Sequence, residues 1–173
     1  MNDFFSPAGE GSVEADLTGY TWRIMLYLDE LDELLGPEPE IPEHPLDALA
    51  QEAEAPVERP EDPVMARLLP EGFLDQGEGA DAFRQFTHRS LLVRKRADAK
   101  VMRELLTDVV RTLDPAAARQ VLGCLNDLRL MLGTRLLVAE QGEFHGEDLT
   151  DLAAYQTYLL LGWLQEELVD ALT

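Results

Sequence analysis

Cysteine is nearly absent: Cys124 is the one thiol in 173 residues, so no intramolecular disulfide can form and no thiolate-rich metal site can be assembled. Bases are scarce too, with 14 Lys and Arg against 34 Asp and Glu and a formal net charge of −20. A molecule so acidic has no general attraction to DNA, RNA or anionic membrane. The opening Met1-Asn2-Asp3-Phe4-Phe5 lacks a basic n-region, and no apolar run approaches a membrane span, so a soluble, cytoplasmic chain is expected. Histidine is sparse and scattered: His44, His88 and His145 include no pair at the i, i+4 spacing of a helical metal site. His145 with Glu147 and Asp148 reads as a solvated loop. The sequence carries no phosphate-cradling glycine loop and no nucleophile elbow. The expectation is therefore a non-enzymatic protein without metal or cofactor. No segment alternates like a core strand, and no period signals a solenoid.

The bases that are present are concentrated. Residues 1–83 hold 21 acids and 3 bases, residues 84–135 hold 5 acids and 11 bases, and residues 136–173 hold 8 acids and no base. A basic middle between acidic ends fits two accounts. Either the middle helices pair with acidic ones inside the fold, or they carry a recognition stripe.

Length suits one domain spanning 1–173. Phe4, Phe5 and Val13 flank a Ser-Pro-Ala-Gly-Glu-Gly-Ser stretch, which allows a short N-terminal hairpin. From Glu14 to Leu35 the pattern is helical, with Leu17, Tyr20, Ile24, Leu28, Leu31 and Leu35 at three- and four-residue steps, stopped by Gly36-Pro37. Residues 37–63 hold seven of the ten prolines and nine acids against one base, an acidic connector in which Leu46–Ala53 can form a brief helix. Val64–Leu69 reads as a helical turn, and Phe73 as a loop residue pinned to the core. Helical periodicity then runs from Ala80 to Leu113, with a break allowed at Thr87. Asp114-Pro115 is a strong helix start, a capping carboxylate before proline at the first helical position. That helix continues to Leu136 or Val138. Gly142 and Gly146 mark a loop, and Thr150 is placed to cap a last helix carrying Leu152, Tyr155, Leu159, Trp163, Val169 and Leu172. The fold class expected is all-α, a compact bundle of four or five helices.

Two stretches hold the candidate functional residues. Arg89, Arg96, Lys100 and Arg103 fall on one narrow helical stripe, next to a face of Leu91, Met102, Leu105, Leu106 and Val109. Such a line of cations suits internal salt bridges, an acidic protein surface or phosphates, although the other parts of a nucleic-acid reader are missing. The helix 120–138 is apolar nearly all round and should be central. Its exceptions are Gly123, Asn126, Gly133 and Thr134 on one broad face, and the charged Asp127, Arg129 and Arg135. A buried polar network fixing helix register explains them, as does a ligand site. Cys124 in the same helix reads as a small buried hydrophobe. Trp22 and Trp163 are expected to face the core, with one of them free to anchor a dimer interface.

Four stretches together resemble a known family. They are Arg67–Phe73, Ala82–Thr87 with the basic helix that follows, Leu125–Leu136 and Trp163–Val169. Their order is similar to that of an actinobacterial family long filed as a domain of unknown function and since named for oxidative-stress regulation (AosR). The motif residues are Asn126, Asp127, Arg129, Gly133, Thr134 and Arg135. The resemblance implies a transcriptional regulator that binds RNA polymerase or a sigma factor and has no established catalytic residues. A disulfide switch implied for some members has no counterpart here, because Cys124 lacks a partner. The alternatives are a direct DNA-binding regulator using the helix 89–103, and an adaptor or structural protein. A homodimer is compatible with each.

Overall fold

The computed structural model describes residues 4–37, 60–70, 78–108, 110–137 and 149–173. The side chains of 78–87 and of Arg89 are outside that description, as are Leu46–Ala53, Phe73, Val109 and the 138–148 segment with its glycines and His145. Among the described residues, five helices and three short strands follow in the order β1 (Phe5–Gly9), β2 (Ser12–Ala15), α1 (Thr21–Leu35), α2 (Pro63–Leu68), α3 (Glu78–Thr107), β3 (Arg111–Leu113), α4 (Pro115–Arg135) and α5 (Leu149–Leu172).

The fold is mostly helical but not all-α. β1 and β2 form the N-terminal hairpin, and β3 adds to it as an antiparallel third strand, pairing Val13 with Leu113 and Ala15 with Arg111. The hairpin turns through Gly9, Glu10 and Gly11, all at positive φ, which glycine adopts without the Cβ penalty. Pro7 lies in β1 at the edge of the sheet, where its missing N–H interrupts no further ladder. Two expectations fail around this sheet. The long helix ends at Thr107 instead of running to Leu113, since Val110 and Thr112 are β-branched and Leu113 is fully buried against β2. The first helix begins at Thr21, not Glu14. Val13, Leu17, Tyr20 and Ile24 imitate a helical period, but Asp16 Oδ1 accepts from Thr18 N (3.0 Å) and Thr18 Oγ1 (2.6 Å), a local turn that competes with helix. Away from the sheet, α3 passes through Thr87 without using the break the sequence allowed there, and Thr150 lies within α5.

α4 is the central helix, packed against α1, α2, α3, α5 and the sheet. Ala118, Val121, Cys124, Leu125, Leu128, Met131 and Leu132 are all buried on it. The cap at its start is as the sequence implies: Asp114 Oδ1 accepts from Ala116 N (2.9 Å) and Ala117 N (2.8 Å), with Pro115 next. Ile24, Leu28, Leu31 and Leu35 of α1, Met102, Leu105 and Leu106 of α3, and Leu161, Leu164 and Leu168 of α5 complete one core. The tryptophans do not join it. Trp22 is 67% exposed, and Trp163 sits at the surface edge-on to Phe4, ring centroids 5.3 Å apart.

Candidate functional site

The cationic stripe of α3 turns largely toward α1. Arg96 reaches the C-terminal end of that helix, where unpaired carbonyls and the negative end of the helix dipole gather. Its Nε donates to Gly36 O at 3.2 Å and its Nη2 to Gly36 O at 2.9 Å and to Leu35 O. About two turns further on, Arg103 Nη2 bridges Asp29 (2.7 Å) and Asp32 (2.6 Å), while Nη1 contacts the Met25 sulfur. Those carboxylates hold the Arg103 guanidinium above its ordinary pKa, Asp32 contributing most. Lys100, between them in sequence, is exposed and has no ion-pair partner among the described residues. Of the four stripe positions, two are thus engaged within the chain, one faces solvent, and the Arg89 side chain lies outside the description.

The second polar cluster joins α3 to α4. Lys95 Nζ donates to Asp127 Oδ1 at 2.6 Å, with both side chains largely out of water. Asp98 is buried beside Gly123, and Arg94 Nε stands 3.9 Å from its Oδ2. A Cβ at residue 123 would fall 2.7 Å from Asp98 Oδ2, so glycine is what lets α3 bring a carboxylate this close. Burial raises the Asp98 pKa, with Arg94 opposing and the Asp127 charge adding to the rise. Burial likewise raises the Asp127 pKa, with the Lys95 hydrogen bond opposing it. Burial pushes the Cys124 thiol well above its usual value, with Asp127 and Asp98 adding, which leaves it inert.

The remaining motif residues divide between packing and surface. Gly133 admits Tyr158, whose Cε2 would be 3.2 Å from an added Cβ. Thr134 Oγ1 donates back to Leu130 O at 2.7 Å, and Arg135 pairs with Glu30 of α1. Exposed Asn126 and half-buried Arg129 line an open groove of about 960 Å³ on α4. Arg94 of α3 forms one wall, and Gln165, Glu166, Val169 and Asp170 of α5 the other, with Arg119 and Leu122 between them. Arg129 Nη1 donates to Gln165 Oε1 at 3.0 Å, and the guanidinium lies 5.1 Å from the Tyr158 ring centre. It crosses α5 at Gly162, where a Cβ would stand 3.3 Å from its Cζ. The groove therefore holds an arginine fixed on Gln165, two further arginines and an exposed amide beside two carboxylates, a surface for hydrogen-bonding and pairing with charged side chains.

Arg94, Arg119, Gln165 and Gly162 were not singled out from sequence. Arg119, Leu122, Asn126 and Arg129 sit at i, i+3, i+7 and i+10, one stripe of an otherwise buried helix, which is a signal that could have found them. Gln165 and Gly162 become legible only once α5 lies beside α4. Among the described residues no group of His, Cys, Asp and Glu is arranged to hold a metal ion, and no helix is long and apolar enough to cross a membrane. A family model described as a domain of unknown function, DUF2017, matches residues 2–172. Searches of curated proteins and of solved structures each return no match.

Proposed function

The chain belongs to the DUF2017 family, and from that footing we propose that it is a non-enzymatic, cytoplasmic regulator of transcription that acts by binding RNA polymerase or a sigma factor. Its likeness to the actinobacterial oxidative-stress regulators belongs to the same proposal. The observation that carries the reading is the groove on α4. In a chain of net charge −20, Arg94, Arg119 and Arg129 converge on one opening beside Asn126. Of the family-motif residues, Asn126 is exposed there, and Arg129 lines the opening while held by Gln165 and Tyr158. Sigma factors and polymerase offer charged helical surfaces, for which arginines on a rigid helix are suited partners. Arg89, Arg96, Lys100 and Arg103 remain proposed contacts, Lys100 as the exposed one and Arg96 and Arg103 as the residues that hold α3 against α1.

Direct DNA binding by the helix 89–103 is the weaker reading, because Arg96 and Arg103 are already engaged with α1 inside the chain. An oxidative response would have to reach this protein through its partner, since its lone thiol is buried.

The test is a binding titration with purified RNA polymerase and with an extracytoplasmic-function sigma factor, run with and without nuclease. Arg94→Glu/Arg119→Glu should weaken binding about tenfold or more, a loss of about 1.4 kcal/mol or more. Binding by the variant equal to wild type would remove the groove from the proposal. Binding that vanishes with nuclease and depends on DNA sequence would favour the DNA reading.

A further inference from the structure

α5 is apolar on two sides, and among the described residues only one of them packs into the core. Thr157, Leu160, Leu161, Leu164 and Leu168 face the core. At about 100° per residue, Leu152, Leu159 and Trp163 fall on the opposite side, and they are 43%, 52% and 37% exposed. Tyr155, stacked on Tyr158, borders the same stripe. Phe4 extends it sideways, meeting Trp163 and Tyr20 edge-on at ring-centroid distances of 5.3 Å each. Large apolar side chains aligned in this way on a helix surface mark an interaction face. Leu152, Leu159 and Trp163 stand at i, i+7 and i+11, the spacing by which one helix lays its seam on another.

Charge decides what covers this face. The helix Leu149–Leu172 contains no Lys or Arg. Toward its C-terminal end the same face continues into Glu166 and Asp170, both exposed. A second copy would set these carboxylates against another apolar, acidic face, and each copy carries a net charge of −20. We infer that the outer face of α5 is a docking site for a basic amphipathic helix of another protein, one whose leucine-type stripe seats on Leu152, Leu159 and Trp163 and whose Lys or Arg residues meet Glu166 and Asp170. Glu166 and Asp170 also line the edge of the arginine groove, but Leu152, Leu159 and Trp163 lie outside it, so variants of the apolar stripe test this proposal apart from the polymerase reading.

The experiment uses the full chain and a synthetic 18-residue Leu/Lys amphipathic helix peptide, with a scrambled Leu/Lys peptide and a Leu/Glu peptide as controls. Trp22→Phe leaves Trp163 as the reporter of binding by fluorescence. The Leu/Lys peptide should bind and shift Trp163 emission to the blue, while the scrambled and Leu/Glu peptides should bind at least tenfold more weakly. Leu152→Glu/Leu159→Glu adds negative charge, so simple electrostatic attraction would tighten binding. Seating on the apolar stripe instead requires at least a tenfold loss, with unchanged circular dichroism and thermal midpoint because both leucines are exposed. Binding that is unchanged or tighter in this variant, or indifferent to scrambling, overturns the proposal. A wild-type dimer in light scattering that the same variant dissociates overturns it as well, because a second copy would then be the occupant.

Discussion

Asp127 and Asp98 face each other's elements across the α3–α4 seam, both nearly out of water, with Lys95 bonded to the first. A buried pair contributes little compared with apolar residues in its place, but breaking it strands a charge. Lys95→Ala should therefore cost about 3 kcal/mol in urea unfolding, at the low end for breaking a buried pair. Lys95→Met/Asp127→Leu should recover most of that, and failure of the double variant to recover would mean that the charge itself is required. Asp98 has no cation so close, Arg94 Nε standing at 3.9 Å, and burial raises its carboxyl in the folded chain as it does that of Asp127. Just above the ordinary carboxylate pKa the folded state then holds more protons than the unfolded one, so this group's contribution falls as pH rises through the window. Asp98→Asn should raise stability at neutral pH and flatten the gain seen on mild acidification. Urea midpoints for wild type and variant across that window check it, and parallel curves would show that Asp98 is not the source.

Between elements, two glycines of α4 look alike in sequence and differ in what they face. An alanine in a helix interior is favoured over glycine by about 1 kcal/mol. At Gly133 the neighbour at 3.2 Å is the edge of the Tyr158 ring, which can give by a few tenths of an ångström. Gly133→Ala should thus be near neutral. At Gly123 the neighbour at 2.7 Å is the carboxylate of Asp98, a short side chain held in the seam. Gly123→Ala should lower stability by about 1–2 kcal/mol net of the helix preference, and adding Asp98→Ala should reverse much of it. Thermal unfolding of the three variants separates strain from propensity. The same elements show what sequence could convey. The burial of α4, its Asp114 cap and the hairpin around Gly9–Gly11 follow from local chemistry and periodicity, and all are present. Strand β3 is three residues long and has no period to read; it exists because Leu113 finds Val13 about a hundred residues away. The outward Leu152–Trp163 stripe of α5 was legible as an apolar pattern, but a helix apolar all round does not declare which face is covered. For the groove, Asn126 and Arg129 were visible as exceptions, whereas the walls from α3 and α5 required the packing.

At the scale of the molecule, the separation of charge along the chain is partly undone by folding. Arg103 meets Asp29 and Asp32, Arg135 meets Glu30, and Arg96 closes the end of α1, so the basic middle docks on the acidic first helix. These pairs are exposed or half-exposed, and each contributes on the order of 0–1 kcal/mol. They neutralise only part of the excess, and a net charge of −20 remains to repel itself. Salt acts on both terms. The Debye length shrinks from about 30 Å at 0.01 M to about 10 Å at 0.1 M. Repulsion summed across the whole molecule works at the longer range, and contact pairs at 2.6–2.7 Å work well inside the shorter one. Screening should therefore remove more repulsion than attraction, and the thermal midpoint should rise by a few degrees as sodium chloride goes from about 0.01 to about 0.1 M. A midpoint that falls over that range would mean that the α1–α3 seam outweighs the global repulsion, and Arg103→Met should then abolish the fall. If the midpoint rises in wild type and in Arg103→Met alike, the seam chiefly fixes how α3 lies on α1, and the cations left over at Arg94, Lys100 and Arg119 are the ones available to a partner.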